Sequence, residues 1–257
     1  MENNSWREMN RAMWDAKTPL HLNSPLYDVA GFKAGGLSLR AHEIEDLGDV
    51  AGKDLIHLQC HFGLDTLSWA RLGAHGVGLD FSEPAILAAR ELAREIGVDA
   101  HFVVSDVFDA RIAVSGRKFD IVYTGVGALC WLPDIERWAK VVFDLLKPGG
   151  ELYLFEFHPI RWIFDPGQTR EPVIRDDYFS PAGGFPDGGV TYADASTPAA
   201  ATPTVQWNHP LGEVVTALVR AGLRIESLRE LDRSVLRDFE IMEPTGDRMY
   251  RMPKGRA

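Results

Sequence analysis

The chain has 257 residues, 46% of them hydrophobic, and a formal net charge of −10 at pH 7. A chain of this length and composition can bury a sizeable core, and α/β folds of this size often form one domain. Because an acidic surface repels phosphate backbones and anionic membranes, we expect a small-molecule partner, with no nucleic acid and no membrane.

Cysteine usage and the start of the chain bear on the cellular compartment. The two cysteines, Cys60 and Cys130, are too few for a disulfide scaffold. The first residues lack the apolar stretch of a signal peptide, and no window approaches the roughly twenty apolar residues of a membrane span. These features predict a cytoplasmic protein and leave its oligomeric state open.

Residues 1–45 form an N-terminal arm rather than a tail. Trp6, Met9 and Met13 are spaced as i, i+3 and i+7, which predicts an amphipathic helix that lays large side chains on another surface. In one interpretation the arm only packs on the core. In the other it is a lid over a cofactor and an acceptor, with Tyr27 among its polar members.

A strand, a tight turn and a helix follow. The apolar run 54–58 breaks at a turn that ends at Gly63, and a helical pattern begins after it. A second apolar run ends on Asp80, about twenty residues past Gln59, the spacing at which an acid reaches ribose hydroxyls. The pair suggests a nucleoside-bearing cofactor, although an ordinary buried strand-to-helix turn would look similar.

This turn is poor in glycine. Dinucleotide folds use three glycines here to bring the backbone close to phosphate, whereas this chain keeps Gly63 and has Gln59, His61 and Phe62 at the other positions. A pyrophosphate would fit badly, and a cofactor without phosphates fits better.

The core, residues 46–157, alternates strand and helix patterns, which predicts a mostly parallel α/β sheet of Rossmann type. The predicted strands are 54–58, 76–80, 101–104, 119–124 and 150–157, and the predicted helices are 64–72, 83–96 and 134–146.

The remainder completes a single domain spanning residues 1–257. Residues 158–210 are rich in both aromatic residues and Pro or Gly, which indicates an ordered insertion covering an acceptor pocket. Residues 211–257 are predicted to add a helix at 211–222, a strand at 223–231 and a last, antiparallel strand at 248–252.

Five signals in chain order resemble the class I S-adenosylmethionine-dependent methyltransferases. They are the turn ending at Gly63, the acid Asp80, Ser105-Asp106-Val107 after the third strand, Phe119-Asp120-Ile121-Val122-Tyr123 in the fourth, and Leu146-Lys147-Pro148-Gly149-Gly150 before the fifth. More narrowly, segments 57–66, 130–133 and 156–159 resemble a bacterial subgroup of small-molecule methyltransferases in which the glycine-poor turn is usual.

The resemblance implies S-adenosylmethionine as cofactor and a role for several residues. Asp80 would bind the ribose hydroxyls, Phe81 would stack on the adenine, Asp106 would accept from the adenine amino group, and Gly125 would lie along the methionine portion. The full set expected to bind the cofactor is Tyr27, Gln59, Cys60, His61, Gly63, Thr66, Asp80, Phe81, Ser105, Asp106, Val107 and Gly125.

One position departs from the wider family. Most members have an acid where this chain has His57, and that acid helps to hold the methionine ammonium. A histidine cation cannot take this role. Backbone carbonyls near Gln59 and Gly125, aided by a residue of the N-terminal arm, are expected to replace it.

Methyl transfer requires alignment of an acceptor and, where the acceptor carries a proton, a base. His158 is the first candidate because the pKa of histidine suits neutral pH, and Tyr192 and His209 are second choices. Alternatively, His158 only makes a structural hydrogen bond to the insertion. Glu156 and His158 could also bind a metal, but no third ligand has a convincing spacing, so none is expected.

The acceptor is expected to be aromatic or heterocyclic and methylated on oxygen or nitrogen, because the chain offers many flat apolar side chains. They are Trp131, Trp162, Tyr178, Phe179, Tyr192 and Trp207. Two rival functions remain. An NAD(P)-dependent oxidoreductase should have the glycine-rich turn that is missing here, and a non-catalytic cofactor-binding or scaffold protein would explain the altered turn. The acidic charge disfavours methylation of RNA.

Overall fold

The computed structural model describes residues 5–164, 172–179, 190–191, 194–198 and 203–255. Three helices precede the first strand: α1 (Ser5–Leu22), α2 (Val29–Lys33) and α3 (Ala41–Leu47). The amphipathic helix predicted in the arm is α1, and it buries Met13 almost completely.

Five parallel strands form the central sheet. They are β1 (Asp54–Leu58), β2 (His75–Asp80), β3 (Ala100–Val104), β4 (Phe119–Thr124) and β5 (Leu146–Leu154), in the order β3-β2-β1-β4-β5. The helices that follow α3 are α4 (Leu64–Arg71), α5 (Glu83–Ile96), α6 (Ala110–Ala113), α7 (Ile135–Leu145) and α8 (Leu211–Ala221). The predicted α/β fold is confirmed.

Both faces of the sheet are covered. Leu55 packs with Trp69 of α4 on one face, whereas Ile56 lies with Trp138 of α7 and Leu218 of α8 on the other. A central parallel strand buried on both faces is therefore mostly apolar and does not alternate between apolar and polar residues.

The strand order reverses between β1 and β4. The chain runs outward through β1, β2 and β3, and then returns to the other side of β1 to form β4 and β5. Ligands of open α/β sheets bind at such a switch point, outside the carboxyl ends of the strands. The turn ending at Gly63 and the segment following Thr124 meet there.

Local signals set the ends of α5. Ser82 accepts a hydrogen bond from Ala85 N, Pro84 lies in the first turn, and Gly97 ends the helix with a left-handed φ of 67°. These positions agree with the predicted helix 83–96.

Residues 223–231 do not form the predicted strand. Leu223, Ile225 and Leu228 are spaced by two and then three, which breaks the period of two that a half-buried strand needs, and Ile225 and Leu228 are exposed. The predicted last antiparallel strand does occur, but outside the main sheet. Three short strands, β8 (Arg233–Ser234), β9 (Glu243–Pro244) and β10 (Tyr250–Arg251), form a small antiparallel sheet.

Two further short strands lie in the insertion. They are β6 (Val190–Thr191) and β7 (Asp194–Pro198), which pair antiparallel. Within the part of the chain that the structure describes, no helix is long and apolar enough to span a membrane.

Gly78 of β2 is closely packed beneath the turn, so a substitution there tests this packing. A Cβ added there would lie 2.6 Å from a ring carbon of Phe102 and 2.8 Å from Cys60 Sγ, and both neighbours are buried. We expect Gly78→Ala to lower the free energy of unfolding by about 1–3 kcal/mol, measured by urea denaturation, because overpacking forces neighbours out of position. The control is Gly212→Ala in α8, where the described structure leaves open space. Equal stability of the two variants would contradict this packing.

Candidate functional site

The site is built on the turn between β1 and α4. Gln59, His61 and Gly63 have φ angles of 57°, 51° and 79°, so two residues with side chains adopt the left-handed conformation. Each such residue costs about 1–2 kcal/mol relative to a right-handed one. The chain therefore keeps the backbone shape of a glycine-rich turn without its glycines, and strain of this kind is concentrated at functional sites.

Asp80, at the carboxyl end of β2, holds this turn in place. Its Oδ2 accepts from His61 N at 2.9 Å, and its Oδ1 accepts from Ser82 N at 2.9 Å. Burial raises the pKa of the Asp80 carboxyl to about 6. An ionised carboxylate offers about four lone-pair sites, so acceptor capacity remains for a ligand hydroxyl.

The segment after β3 lies beside Asp80. Ser105 N donates to Asp80 O at 2.9 Å, Phe81 is half-buried, and Val107 is buried. Asp106 Oδ1 caps a short 3₁₀ turn by accepting from Phe108 N at 2.8 Å. The residues predicted to bind the adenosine portion of the cofactor are thus neighbours at one edge of the sheet.

The second oxygen of Asp106 faces the N-terminal arm. Arg7 Nε of α1 lies 2.7 Å from Asp106 Oδ2 and forms an ion pair with it. Burial raises the pKa of the Asp106 carboxyl, and the charge of Arg7 opposes that shift. A ligand amino group at this oxygen would share it with Arg7.

Aromatic side chains join α1 to the turn. Trp14 contacts His61 and Trp131 edge-on, and Tyr27 stacks on His21 with ring centroids 5.3 Å apart. The members of this aromatic cluster are Trp14, His21, Tyr27, His61, Phe62 and Trp131.

A hydrogen bond between two imidazoles lies inside the aromatic cluster. His21 Nδ1 and His61 Nε2 are 2.9 Å apart. Burial lowers the pKa of His21 to about 4 and that of His61 well below its usual range, so both rings are neutral at pH 7. One ring donates its N–H to the lone pair of the other, which ties the arm to the turn without adding charge.

The rest of α1 crosses the carboxyl ends of the strands. Ser82 Oγ donates to Asp15 Oδ1 at 2.6 Å, and Asn10 exchanges two hydrogen bonds with the backbone of Val205. Trp6 packs edge-on against Trp207. The helix therefore extends from Asp106 to the turn between β1 and α4.

Glu156 anchors the loop after β4. Its carboxylate accepts from the backbone amides of Gly127, Ala128, Leu129 and Phe157 at 2.5–2.9 Å. These four amides make the loop the hydrogen-bond partner of the Glu156 carboxylate. Among the described residues, no three His, Cys, Asp or Glu side chains form a group that could hold a metal.

Gln59 links the turn to the same loop. Its Nε2 donates to Ala128 O at 3.0 Å. Its Oε1 is buried and has no hydrogen-bond partner within the described residues, although buried polar atoms are normally paired. An unpaired acceptor at the switch point is suited to a ligand that carries donors.

His57 lies on the α4 side of the sheet. Its Nδ1 is 3.0 Å from Thr66 Oγ1, and its ring contacts Tyr123 edge-on. Burial lowers the pKa of His57 to about 4, so the ring is neutral. Cys60 is likewise buried, and burial raises the pKa of its thiol.

An acid that the sequence analysis did not select lies beside Gly125. A Cβ placed on Gly125 would be 3.5 Å from Asp65 Oδ2 and 3.5 Å from His57 Nε2. Asp65 is in the first turn of α4, and its Oδ1 accepts from Ser38 Oγ at 2.5 Å. The position of Asp65 two residues after Gly63 could have indicated a site residue, but an acid there is also typical of a helix N-terminus.

The candidate bases lie in structural hydrogen bonds where they are described. His158 Nδ1 accepts from Ile160 N at 3.1 Å, and its Nε2 is 3.0 Å from Glu230 Oε1. His209 Nε2 is 2.8 Å from Leu132 O and donates to it. Tyr192 lies outside the described residues.

Known proteins resemble this chain in sequence. A protein-family model described as a methyltransferase domain matches residues 56–152. A ubiquinone biosynthesis O-methyltransferase from Aromatoleum aromaticum is 31% identical over 57% of this chain and 57% of its own length. Another from Xanthomonas euvesicatoria is 27% identical over 84% of this chain and 77% of its own length. The match thus spans little more than half of the length of the Aromatoleum aromaticum protein.

Solved structures share the fold. An S-adenosylmethionine-dependent methyltransferase from Mesorhizobium loti has a TM-score of 0.55 and 21% identity, covering 78% of this chain and 87% of that one. The DhpI-SAH complex has a TM-score of 0.55 and 19% identity, covering 86% and 89%. With the sheet order, these similarities show that the chain has the α/β fold of class I S-adenosylmethionine-dependent methyltransferases and that residues 56–152 match a methyltransferase domain.

Proposed function

We propose that the protein transfers the methyl group of S-adenosylmethionine to an oxygen of a small aromatic or heterocyclic molecule. The observation that carries this proposal is the pairing of Asp80 with the left-handed turn at the switch point. The names of the relatives support oxygen as the methylated atom, and transfer to nitrogen is the alternative.

The described residues fit this cofactor better than a dinucleotide. The side chains of Gln59 and His61 occupy positions where a pyrophosphate would need glycine, whereas S-adenosylmethionine has no phosphate. Asp80 would accept from the ribose hydroxyls and Asp106 from the adenine amino group, with Phe81 beside the ring. When bound, the cofactor supplies a methyl group already activated on a sulfonium.

The remaining task of the protein is to position the acceptor and exclude water. Trp14, Trp131 and Trp207 supply flat apolar surface near the carboxyl ends of β1 and β4, which supports an aromatic acceptor. His158, Tyr192 and His209 stay predicted bases. For His158 to take a proton on Nδ1, its bond from Ile160 N would have to open.

We also propose that residues 1–45 act as the lid, 46–157 as the cofactor-binding core, 158–210 as the acceptor-pocket insertion, and 211–257 as the remainder of one domain. The contacts of α1 with the turn and with Asp106 support the lid. A cytoplasmic location and a small-molecule partner accord with this function.

A transfer assay tests the proposal. Purified protein with methyl-labelled S-adenosylmethionine is offered phenols, catechols, anilines and thiols, and methylated products are identified by mass spectrometry. We expect label on a phenolic or catechol oxygen. Asp106→Asn should reduce turnover at limiting cofactor by about 10- to 100-fold, because a hydrogen bond to a charged group is worth roughly 1.5–3 kcal/mol.

The matched control for that assay is Asp109→Asn, which alters a nearby exposed acid and should keep wild-type turnover. If the label were found on nitrogen alone, the proposed transfer to oxygen would be wrong and nitrogen would be the methylated atom. Cofactor binding without transfer to any acceptor would favour the non-catalytic protein.

The lid predicts a change in cofactor release. Trp14→Ala removes the ring contacts of Trp14 with His61 and Trp131, each worth about 0.5–1.5 kcal/mol. We expect S-adenosylhomocysteine to dissociate about tenfold faster in stopped-flow measurements. Arg11→Ala, on the exposed side of the same helix, is the control and should release at the wild-type rate. An unchanged rate for Trp14→Ala would show that α1 does not retain the cofactor.

A further inference from the structure

His57, the position that departs from the wider family, carries a neutral imidazole. His57 is 3% exposed, and its ring bonds to Thr66 rather than to an acid. With its proton on Nδ1, His57 donates to the Thr66 hydroxyl oxygen, 3.0 Å away. In that tautomer Nε2 carries a lone pair and faces Gly125. A neutral imidazole can accept a hydrogen bond from an ammonium but cannot balance its charge.

Asp65 brings a carboxylate to the same place. Ser38 Oγ donates to Asp65 Oδ1 at 2.5 Å, and Ser38 is itself fixed, because its N donates to Ser68 Oγ at 3.0 Å. This pairing holds one oxygen and leaves Oδ2 beside Gly125, at the end of β4.

The surroundings favour a cation here. Glu43 is buried next to Tyr123, and burial together with the charge of Asp65 raises the pKa of Glu43 to about 7. The same two causes raise the pKa of Tyr123. Arg40 faces this group, with its Nη1 3.9 Å from Glu43 Oε2. A second positive charge beside Asp65 would relieve the repulsion between the acids.

We propose that Asp65, positioned by Ser38, is the counter-ion of the ammonium group of the cofactor's amino-acid portion, with His57 Nε2 accepting a further hydrogen bond. The acid of the wider family has thereby moved from the end of β1 to the first turn of α4. This inference rests on the proposed function, since it assigns a residue to part of that cofactor.

Two ligands separate the role of the charge from that of the nucleoside. S-adenosylhomocysteine carries the ammonium, whereas 5′-methylthioadenosine has the same nucleoside without the amino acid. We expect Asp65→Asn to lower the affinity for S-adenosylhomocysteine about 10- to 100-fold in calorimetric titrations, because a charge-assisted hydrogen bond is lost. Its affinity for 5′-methylthioadenosine should stay at the wild-type value, which also shows that the variant is folded.

Asp49→Asn is the matched control, because it removes the same charge before β1, at the opposite end of the sheet. It should bind both ligands like the wild type. Wild-type affinity of Asp65→Asn for S-adenosylhomocysteine, or equal weakening of both ligands, would overturn the assignment to Asp65 alone. A wild-type protein that binds neither ligand would instead overturn the proposed function, and this inference with it.

Discussion

The hydrogen bonds from His61 N and Ser82 N to the Asp80 carboxylate are the constraint on which the site depends. They tie the turn after β1 to the end of β2, on one side of the switch point. The left-handed conformation of Gln59 and His61 is unfavourable, so the turn needs stabilising hydrogen bonds with a residue outside it, and Asp80 supplies the acceptor. Cys60 N, which donates to Leu79 O, extends the same link between the two strands.

Neutral and ionic contacts of different strength join α1 to this edge of the sheet. The imidazoles of His21 and His61 are kept uncharged by burial, so their hydrogen bond is insensitive to salt. The ion pair between Arg7 and Asp106 is partly exposed and more readily exchanged for a ligand. If α1 acts as the proposed lid, it would therefore open more readily at the Arg7 end than at the His21 end.

Most of the fold was predictable because its signals are local. The ends of α5 follow from Ser82 and Gly97, and the sheet follows from alternating strand and helix patterns. The proposed role of Asp65 was not predictable, because its partner Ser38 comes from a distant part of the arm. The irregular backbone at 223–231 was missed because an alternation of apolar residues begins there and is not sustained.

The most direct test is calorimetric titration of wild-type protein and Asp80→Asn with S-adenosylhomocysteine and with NADH. We predict that the wild type binds S-adenosylhomocysteine but not NADH, and that its affinity falls about tenfold between pH of about 7 and 5, since the raised pKa of Asp80 lets the carboxylate protonate near 6. Asp80→Asn should bind weakly at both pH values. Binding of NADH alone, or full affinity of Asp80→Asn, would contradict the account.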